Sequence, residues 1–475
     1  MRILLMDPNY DSHVVHPPLG LGYLASYLEK ENHLVSIFDG TLKNADEEDF
    51  LKVVSDFKPD LVGVSVLTRG HNRAKKMIKT IKAQFRSLPV VIGGTQVTAA
   101  PEIVLRDLGA DFAVIGEGEI TILELVRALE KDKGHFERVK GLAYKDKRKG
   151  IIVTEPRELI ADIDTIPFPA WHLMPPKDYR IAPILEPARA FPIAPILTSR
   201  GCSYNCSFCA SNVTWRRKLR FRSIKNVLKE IKLLKNRYGV REIHFCDDNF
   251  TMNVKRAQEM CDTMIQERID LPWQCPNGVR IDGLTTSLLE GMRKAGCYAL
   301  GLGVESGSRK ILKRVNKQLD LGVVKKALSA FKNAGISSYG FFILGLPGDT
   351  METIEETIQF ALSNPFNRAW FNIFTPYPGS IAFDEWIGNR DFAEIDWDEY
   401  DCSTAIVASE ELTPEVIEKL QRQALRRFYL RPRILFSLII SLNYHSLVTL
   451  MMSRFLSKRF VLFFRIVHRF IRKKR

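Results

Sequence analysis

No cysteine occurs before Cys202, and only eight are present in 475 residues. That sparsity excludes the disulfide framework of a small secreted domain and denies the first 201 residues any thiolate metal site. The N-terminus, MRILLMDPNY, has no extended apolar segment and no small-residue cleavage site, so no export signal is expected and the setting is a reducing cytoplasm. No internal repeat recurs. Acidic residues are missing from Arg426 to Arg475, where thirteen Lys or Arg stand, and the rest of the chain then holds 56 basic residues against 55 acidic ones. The net charge of +14 therefore belongs to one terminus. Its basic residues alternate with Leu, Ile and Phe, a pattern that suits an anionic membrane surface better than a duplex. A peripheral place on the inner membrane face is the expectation, and no nucleic-acid partner.

With 45% hydrophobic residues the chain is globular, and its length calls for two large domains and a smaller appendage. Over residues 1–138 the β-rich runs Arg2–Asp7, Leu34–Asp39, Leu61–Val66, Val90–Gly94 and Phe112–Ile115 alternate with helical stretches. This predicts a doubly wound, Rossmann-like parallel sheet whose ligand lies beyond the strands' carboxyl ends, where Asp7, Asp39, Ser65, Gly93 and Gly116 gather. Residues 139–195 lose periodicity and collect prolines, including Pro167, Pro169, Pro175 and Pro176; they read as a linker folded over the surface. A second α/β series follows over 196–395, with strands at Ile196–Ser199, Glu242–Asp247, Gln274–Val279, Ala299–Glu305, Ser338–Leu344 and Trp370–Thr375. Six βα units predict an open, partial (β/α)6 barrel. Residues 396–475 turn helical and end in the basic tail.

Cys202, Cys206 and Cys209 form C-x3-C-x2-C on the loop after the first barrel strand. Three thiolates, one short of a closed cluster, leave one iron of a [4Fe-4S] cluster open to an outside ligand. A zinc site would need a fourth ligand, usually from a second Cys or His pair at short spacing, and none follows Cys209 closely. Cys246, Cys261, Cys275, Cys297 and Cys402 read as packing residues.

With these motifs the chain resembles the cobalamin (B12)-binding-domain radical S-adenosylmethionine (SAM) family, in its anaerobic Mg-protoporphyrin ester cyclase and lipid C-methylase branch, over nearly its whole length. The resemblance implies that the open iron takes the amino and carboxylate groups of SAM. It places Phe208 on the adenine side, Asp247, Asp248 and Asn249 near the methionine amine, and Glu305 and Ser306 near the ribose hydroxyls and carboxylate. Gly340 to Asp349, with Ile343 and Gly345, matches the motif that supports adenine, Asp349 standing where many relatives have Glu. Asn249 equally reads as a turn and helix-cap residue. For cobalamin, Ser65-Val66-Leu67 and Gly93-Gly94 match the motifs around the nucleotide tail, and Glu117 follows the fifth strand as in relatives. Gly20 and Gly22 match the loop that nears the corrin edge. The lower-ligand motif is half present, since Asp11-Ser12-His13 is followed by His16 where glycine is usual, so no histidine ligand is expected.

Gly20-Leu21-Gly22-Tyr23-Leu24-Ala25, with Asp39 beyond, also matches a dinucleotide fingerprint. That fingerprint needs its first glycine directly after the first strand, whereas Pro8 to Leu19 intervene here, three of them prolines. Ile434 to Ser453 is uncharged and long enough to span a bilayer, but Asn443, Tyr444 and His445 lie at its centre. Two amphipathic helices, on the membrane surface or on the barrel, are the expectation.

The activity implied is cobalamin-dependent radical C-methylation of an unactivated carbon. SAM cleaved by the reduced cluster gives a 5′-deoxyadenosyl radical, methylcobalamin delivers the methyl group, and a second SAM restores it. An apolar or lipid-like small molecule is the expected substrate, and flavodoxin or ferredoxin the external electron donor. Cyclisation or oxidation with the same cofactors is the first alternative, and no sequence feature separates the two. A methylthiotransferase would need an N-terminal cysteine cluster and a β-rich RNA domain, which are lacking. A non-catalytic cobalamin-binding protein is the third.

Overall fold

The computed structural model describes residues 1–10, 15–131, 135–179, 188–388, 390–408 and 411–441. The first sheet has seven strands in the order β2-β1-β3-β4-β5-β6-β7. Strands β1 (Arg2–Asp7), β2 (Leu34–Asp39), β3 (Leu61–Ser65), β4 (Val90–Gly93) and β5 (Phe112–Val114) are parallel. The run Ile3-Leu4-Leu5-Met6 has no polar member because helices cover both faces. Ile3 and Leu5 enter one buried cluster, and Leu4 and Met6 enter the other.

The sheet does not stop at 138. β6 (Leu142–Asp146) and β7 (Gly150–Val153) form an antiparallel hairpin on its edge. Asp146 Oδ1 accepts from the Arg148 and Lys149 amides at 2.8 Å, and Gly150 takes φ +80°. Here a side-chain-closed turn replaces the helix that ended every earlier strand. The remainder of the expected surface linker is largely internal: Ile163, Ile166, Ala170, Trp171, Met174 and Tyr179 are buried. Its prolines end regular structure, but the apolar residues between them fill the space between the two sheets.

The second sheet is parallel, in the sequential order β15-β14-β13-β12-β11-β8. Its strands are β8 (Ile193–Ile196), β11 (Glu242–Phe245), β12 (Trp273–Val279), β13 (Cys297–Glu305), β14 (Ser337–Leu344) and β15 (Arg368–Ile373). The first strand lies three residues earlier than its expected start at Ile196. Ser199 and Arg200 leave the sheet as β9 and pair antiparallel with β10 (Arg220–Phe221). Past the barrel, the chain returns before turning helical: Phe392, Trp397 and Tyr400 join the first sheet's core. Helix Pro414–Tyr429 then packs on β15, with Tyr429 Oη donating to the Ala369 carbonyl at 2.8 Å. Most of the basic tail, from 442 onward, lies outside the described residues.

Trp171 is 1% exposed, and its Nε1 donates to Glu230 Oε1 at 3.0 Å. Trp171→Ala therefore creates a cavity between the sheets and is expected to cost ~3–5 kcal/mol. Urea unfolding checks this; a change under ~1 kcal/mol would restore the surface-linker reading.

Candidate active site between the two sheets

The cysteine loop is fixed from both ends by side chains that the motif alone does not reveal. Before it, Asp247 accepts the Thr198 amide and the Thr198 and Ser199 hydroxyls, each at 2.6 Å. Asp248 Oδ2 accepts the Gly201 amide at 3.2 Å. Gly201 holds φ +101°, and a Cβ there would stand 2.2 Å from the Lys218 carbonyl oxygen, so only glycine fits. At the other end, Asn316 Nδ2 donates to the Asn205 carbonyl at 2.9 Å and the Ser207 amide to the Val315 carbonyl at 3.0 Å. The Arg280 guanidinium lies over the Tyr204 ring, 3.6 Å from its centroid. Burial pushes the Cys202 and Cys206 thiols up, while Arg280 opposes this at both and Lys317 at Cys206. Those cations favour the thiolates a cluster requires. Among the described residues no three His, Cys, Asp or Glu side chains stand close enough to share one metal ion. Three ligands of a cubane bind three different irons and so stand wider apart than ligands of a single zinc. The donor set and its cations fit a cluster.

The residues expected around SAM divide by how free they are. Asp247 is buried and its carboxylate is spent on Thr198 and Ser199, so it positions the loop and has little left for an ammonium group. Asp248 is exposed at the edge of the loop, where its carboxylate accepts the Gly201 amide at 3.2 Å and a bond from the Trp215 side chain, and burial of the carboxyl followed by the Asp247 charge pushes it up. Asn249 Oδ1 accepts the Thr251 hydroxyl and the Arg280 amide, while Asn253 caps the following helix. Glu305 ends β13 with φ +68°, a conformation that costs a side-chain-bearing residue about 1–3 kcal/mol, and Lys317 Nζ donates to its Oε1 at 2.7 Å. Gly303 makes room for that pair, since a Cβ there would lie 2.6 Å from Glu305 Oε1. Ser306 Oγ bonds Thr357 Oγ1 at 3.0 Å. After β14, Gly345 takes φ +81°, and the Gly345 and Leu346 amides donate to Asp349 Oδ2 at 3.0 and 2.9 Å. Burial pushes the Asp349 carboxyl up to about 6. Phe208 and Ile343 pack on one apolar cluster with Leu346 and Phe374, which joins the cysteine loop to this turn. A cavity of about 190 Å³ opens beside it, lined by Gly345, Leu346, Phe374 and Trp386 among others.

At the first sheet's carboxyl edge, Ser65 and Gly93 are partly open, Gly94 is exposed, and Leu67 is 44% exposed. An apolar side chain beside bare glycines makes a ledge suited to a flat ligand's tail. Gly94 holds φ +117°, and a Cβ would come within 2.6 Å of the Val66 carbonyl oxygen. Tyr10 Oη bonds Asp7 Oδ1 at 3.0 Å, and burial followed by the Asp39 charge pushes Asp7 up to about 7. Three expected cobalamin residues turn out differently. Gly22 lies under the segment between the domains, its carbonyl accepting the Ala170 amide at 2.9 Å and a Cβ there meeting Met174 Cε at 2.0 Å. Gly20 is exposed with nothing near its Cβ position. Glu117 binds the barrel domain. Asp11, Ser12 and His13 lie outside the described residues.

That last contact is the principal feature missed in the sequence. Arg200, two residues before Cys202, donates to Glu117 Oε1 at 2.7 Å and Glu119 Oε1 at 2.6 Å, and Arg220 donates to Glu117 Oε2 at 2.7 Å. Arg200, Glu117 and Glu119 are under 10% exposed, and Arg200 lies over the Tyr23 and Trp215 rings. Burial pushes the Glu117 carboxyl up, but the two arginines and the Ile160 amide outweigh it and hold the group below the ordinary range. The pattern Gly116-Glu117-Gly118-Glu119 was a visible signal; its partner could come only from the fold.

Arg200→Ala strands Glu119 and half of Glu117, and unfolding in urea is expected to show a loss of ~3–5 kcal/mol. Asp7 gives a pH test. Its folded pKa is raised from 3.8 to about 7, so between those values the folded chain binds more protons than the unfolded one and stability falls as pH rises. Asp7→Asn should flatten that slope in thermal melts from pH 5 to 8; an unchanged slope would assign it elsewhere.

Two family models match: the B12 binding domain over residues 11–126 and the radical SAM superfamily over residues 196–361. The chain is 35% identical to an uncharacterised methyltransferase of Pyrococcus horikoshii, covering 92% of this chain and 94% of that protein. It is 31% identical to the anaerobic magnesium-protoporphyrin IX monomethyl ester cyclase of Cereibacter sphaeroides, covering 91% and 71%. Among solved structures, the radical SAM methyltransferase TsrM of Kitasatospora setae with cobalamin and a [4Fe-4S] cluster bound superposes with a TM-score of 0.69 at 18% identity, over 90% of this chain and 85% of that one. The two matched domains, together with a relative 35% identical along nearly the whole chain, identify it as an enzyme of the radical SAM superfamily, in the branch with an N-terminal B12 binding domain.

Proposed function

We propose that this enzyme is a C-methyltransferase that installs a methyl group on an unactivated carbon of an apolar or lipid-like small molecule, with a [4Fe-4S] cluster, SAM and cobalamin as cofactors. The observation that carries the reading is the seam itself: Arg200 ties the cysteine loop to Glu117 and Glu119, which follow β5 at the ligand edge of the first sheet. When bound, the cluster with SAM supplies radical hydrogen abstraction and cobalamin supplies the methyl group. Cys202, Cys206 and Cys209 would hold the cluster; Asp248 and Glu305 would meet the polar end of SAM, and Phe208, Ile343 and Gly345 its adenine, while Ser306, fully buried and bonded to Thr357 and the Ser308 amide, braces the end of β13 instead. Ser65, Leu67, Gly93 and Gly94 would receive the cobalamin tail.

The substrate class rests on the inner wall. Phe342, Leu344, Phe371 and Ile373 enter the core beneath the helices. The alternate residues Phe341, Ile343, Trp370 and Asn372 therefore face the barrel interior, where they stay partly exposed, Phe341 pairing in register with Trp370 and Ile343 with Asn372. With Ile343 turned to the adenine side, Phe341 and Trp370 beside the Asn372 amide favour an apolar molecule with a polar handle. No described helix is long and apolar enough to cross a membrane.

The cyclase relative supports a second reading, cyclisation or oxidation without methyl transfer. Anaerobic reconstitution with hydroxocobalamin, SAM and a strong reductant separates the two. Cobalamin-dependent S-adenosylhomocysteine, absent in Cys206→Ala, is the expected outcome; 5′-deoxyadenosine alone would favour the cyclase reading, and neither product from cluster-loaded protein would overturn both.

A further inference from the structure

We infer that the basic rim around the cysteine loop is the docking surface for an acidic one-electron carrier protein. This rests on the cluster reading above, because reductive use of a cluster needs an electron from outside. The loop is flanked on two sides. On one, the turn Arg216-Arg217-Lys218 packs its backbone on Gly201. On the other, the end of helix Arg309–Arg314 and the two residues after it bond the loop through Val315 and Asn316. Arg216, Arg217, Lys218, Lys310, Lys313 and Arg314 are all exposed and make no ion pair among the described residues.

The sequence keeps carboxylates out of both flanks. No Asp or Glu occurs from Ala188 to Lys229 or from Ser306 to Leu319, although the chain apart from its tail is nearly neutral. Exposed carboxylates on adjoining helices, Glu356, Asp384 and Glu385, pair with none of the six cations. Arg216 and Arg217 hold left-handed φ values of +49° and +57°, where glycine would be unstrained, so arginine is kept there at a conformational cost. Ser203, in the middle of the loop, is exposed, which puts the cysteines close behind this surface. Unpaired cations on two sides of a redox loop, with Asp248 the carboxylate at its remaining edge, steer and orient a partner of opposite charge. In the transfer the carrier is oxidised by one electron and the cluster reduced by one, with no atom crossing the interface.

The test uses the full-length, cluster-loaded enzyme, with reduced flavodoxin and, separately, titanium(III) citrate as electron sources. In R216E/R217E/K218E, and independently in K310E/K313E, flavodoxin-driven SAM cleavage is expected to fall about tenfold or more and to lose most of its salt dependence. Cleavage driven by titanium(III) citrate should stay unchanged. Calorimetric titration of flavodoxin into the enzyme should show binding weakened to a similar degree, a readout independent of turnover. Unchanged flavodoxin kinetics and affinity in both variants would overturn the surface, as would an equal fall with both reductants. Loss of binding to anionic vesicles with flavodoxin binding intact would instead make the rim a membrane contact. Absence of any SAM cleavage with titanium(III) citrate in the unmodified enzyme would overturn the catalytic reading, while the titration would still report on docking.

Discussion

The arrangement depends on a single buried guanidinium. Arg200 is 7% exposed, and a charge in that position is tolerable only when its donors are met. Glu117 and Glu119 meet two of them from the other domain, and the Tyr23 and Trp215 rings cover its faces. Apolar packing between domains would give adhesion with little preference for one relative orientation. A forked ion network with both carboxylates on one short segment fixes direction as well as distance. Because Arg200 lies two residues from Cys202, whatever fixes its position also fixes the start of the cysteine loop relative to the first sheet.

The same logic orders the rest of the loop. Asp247 carries a buried charge satisfied entirely by neighbours at the end of β8, so the turn into the motif cannot drift without stranding it. Glu305, in a strained conformation at the end of β13, is held by Lys317, and the two residues before Lys317 bond the far side of the loop. Strain persists only where the surroundings over-determine it. Here the ends of β11, β12 and β13 send charged groups towards the loop, Asp247 with Asp248, Arg280 and Glu305, so its geometry is set by the barrel and not by its own sequence.

Much of this was legible in the sequence. The strands Arg2–Asp7 and Leu34–Asp39 have their expected limits, which an apolar run closed by Asp marks in both cases. The cysteine spacing and the Gly345 turn are each local patterns, and each lies after the carboxyl end of its own strand in one parallel sheet, which lets Phe208 meet Ile343 and Leu346. What failed depended on long-range pairing. The prolines after 139 marked an irregular path, but whether that path ran over the surface or through the interior was decided by Trp171 finding Glu230, 59 residues away in sequence. Gly22 and Glu117 sat in familiar contexts, yet a segment between the domains covers one and an arginine on another sheet claims the other. Local pattern reports backbone conformation well, but it cannot report which distant group a buried side chain will meet.

The distribution of charge extends the reasoning from position to use. A buried cation beside the loop has its carboxylate, as Arg200 and Lys317 do, because desolvation leaves no alternative. An exposed cation carries no such obligation, and its usual company is a mixture of signs. The two sequence stretches that flank the cysteine loop, 188–229 and 306–319, contain no Asp or Glu, while Lys75, Lys76, Arg127 and Lys232 elsewhere on the surface each have a carboxylate partner. Self-repulsion among unpaired cations is a small standing cost that a paired Asp or Glu would relieve. Its presence beside the cysteine loop is what stability alone does not require, and what the proposed encounter with an acidic carrier would use.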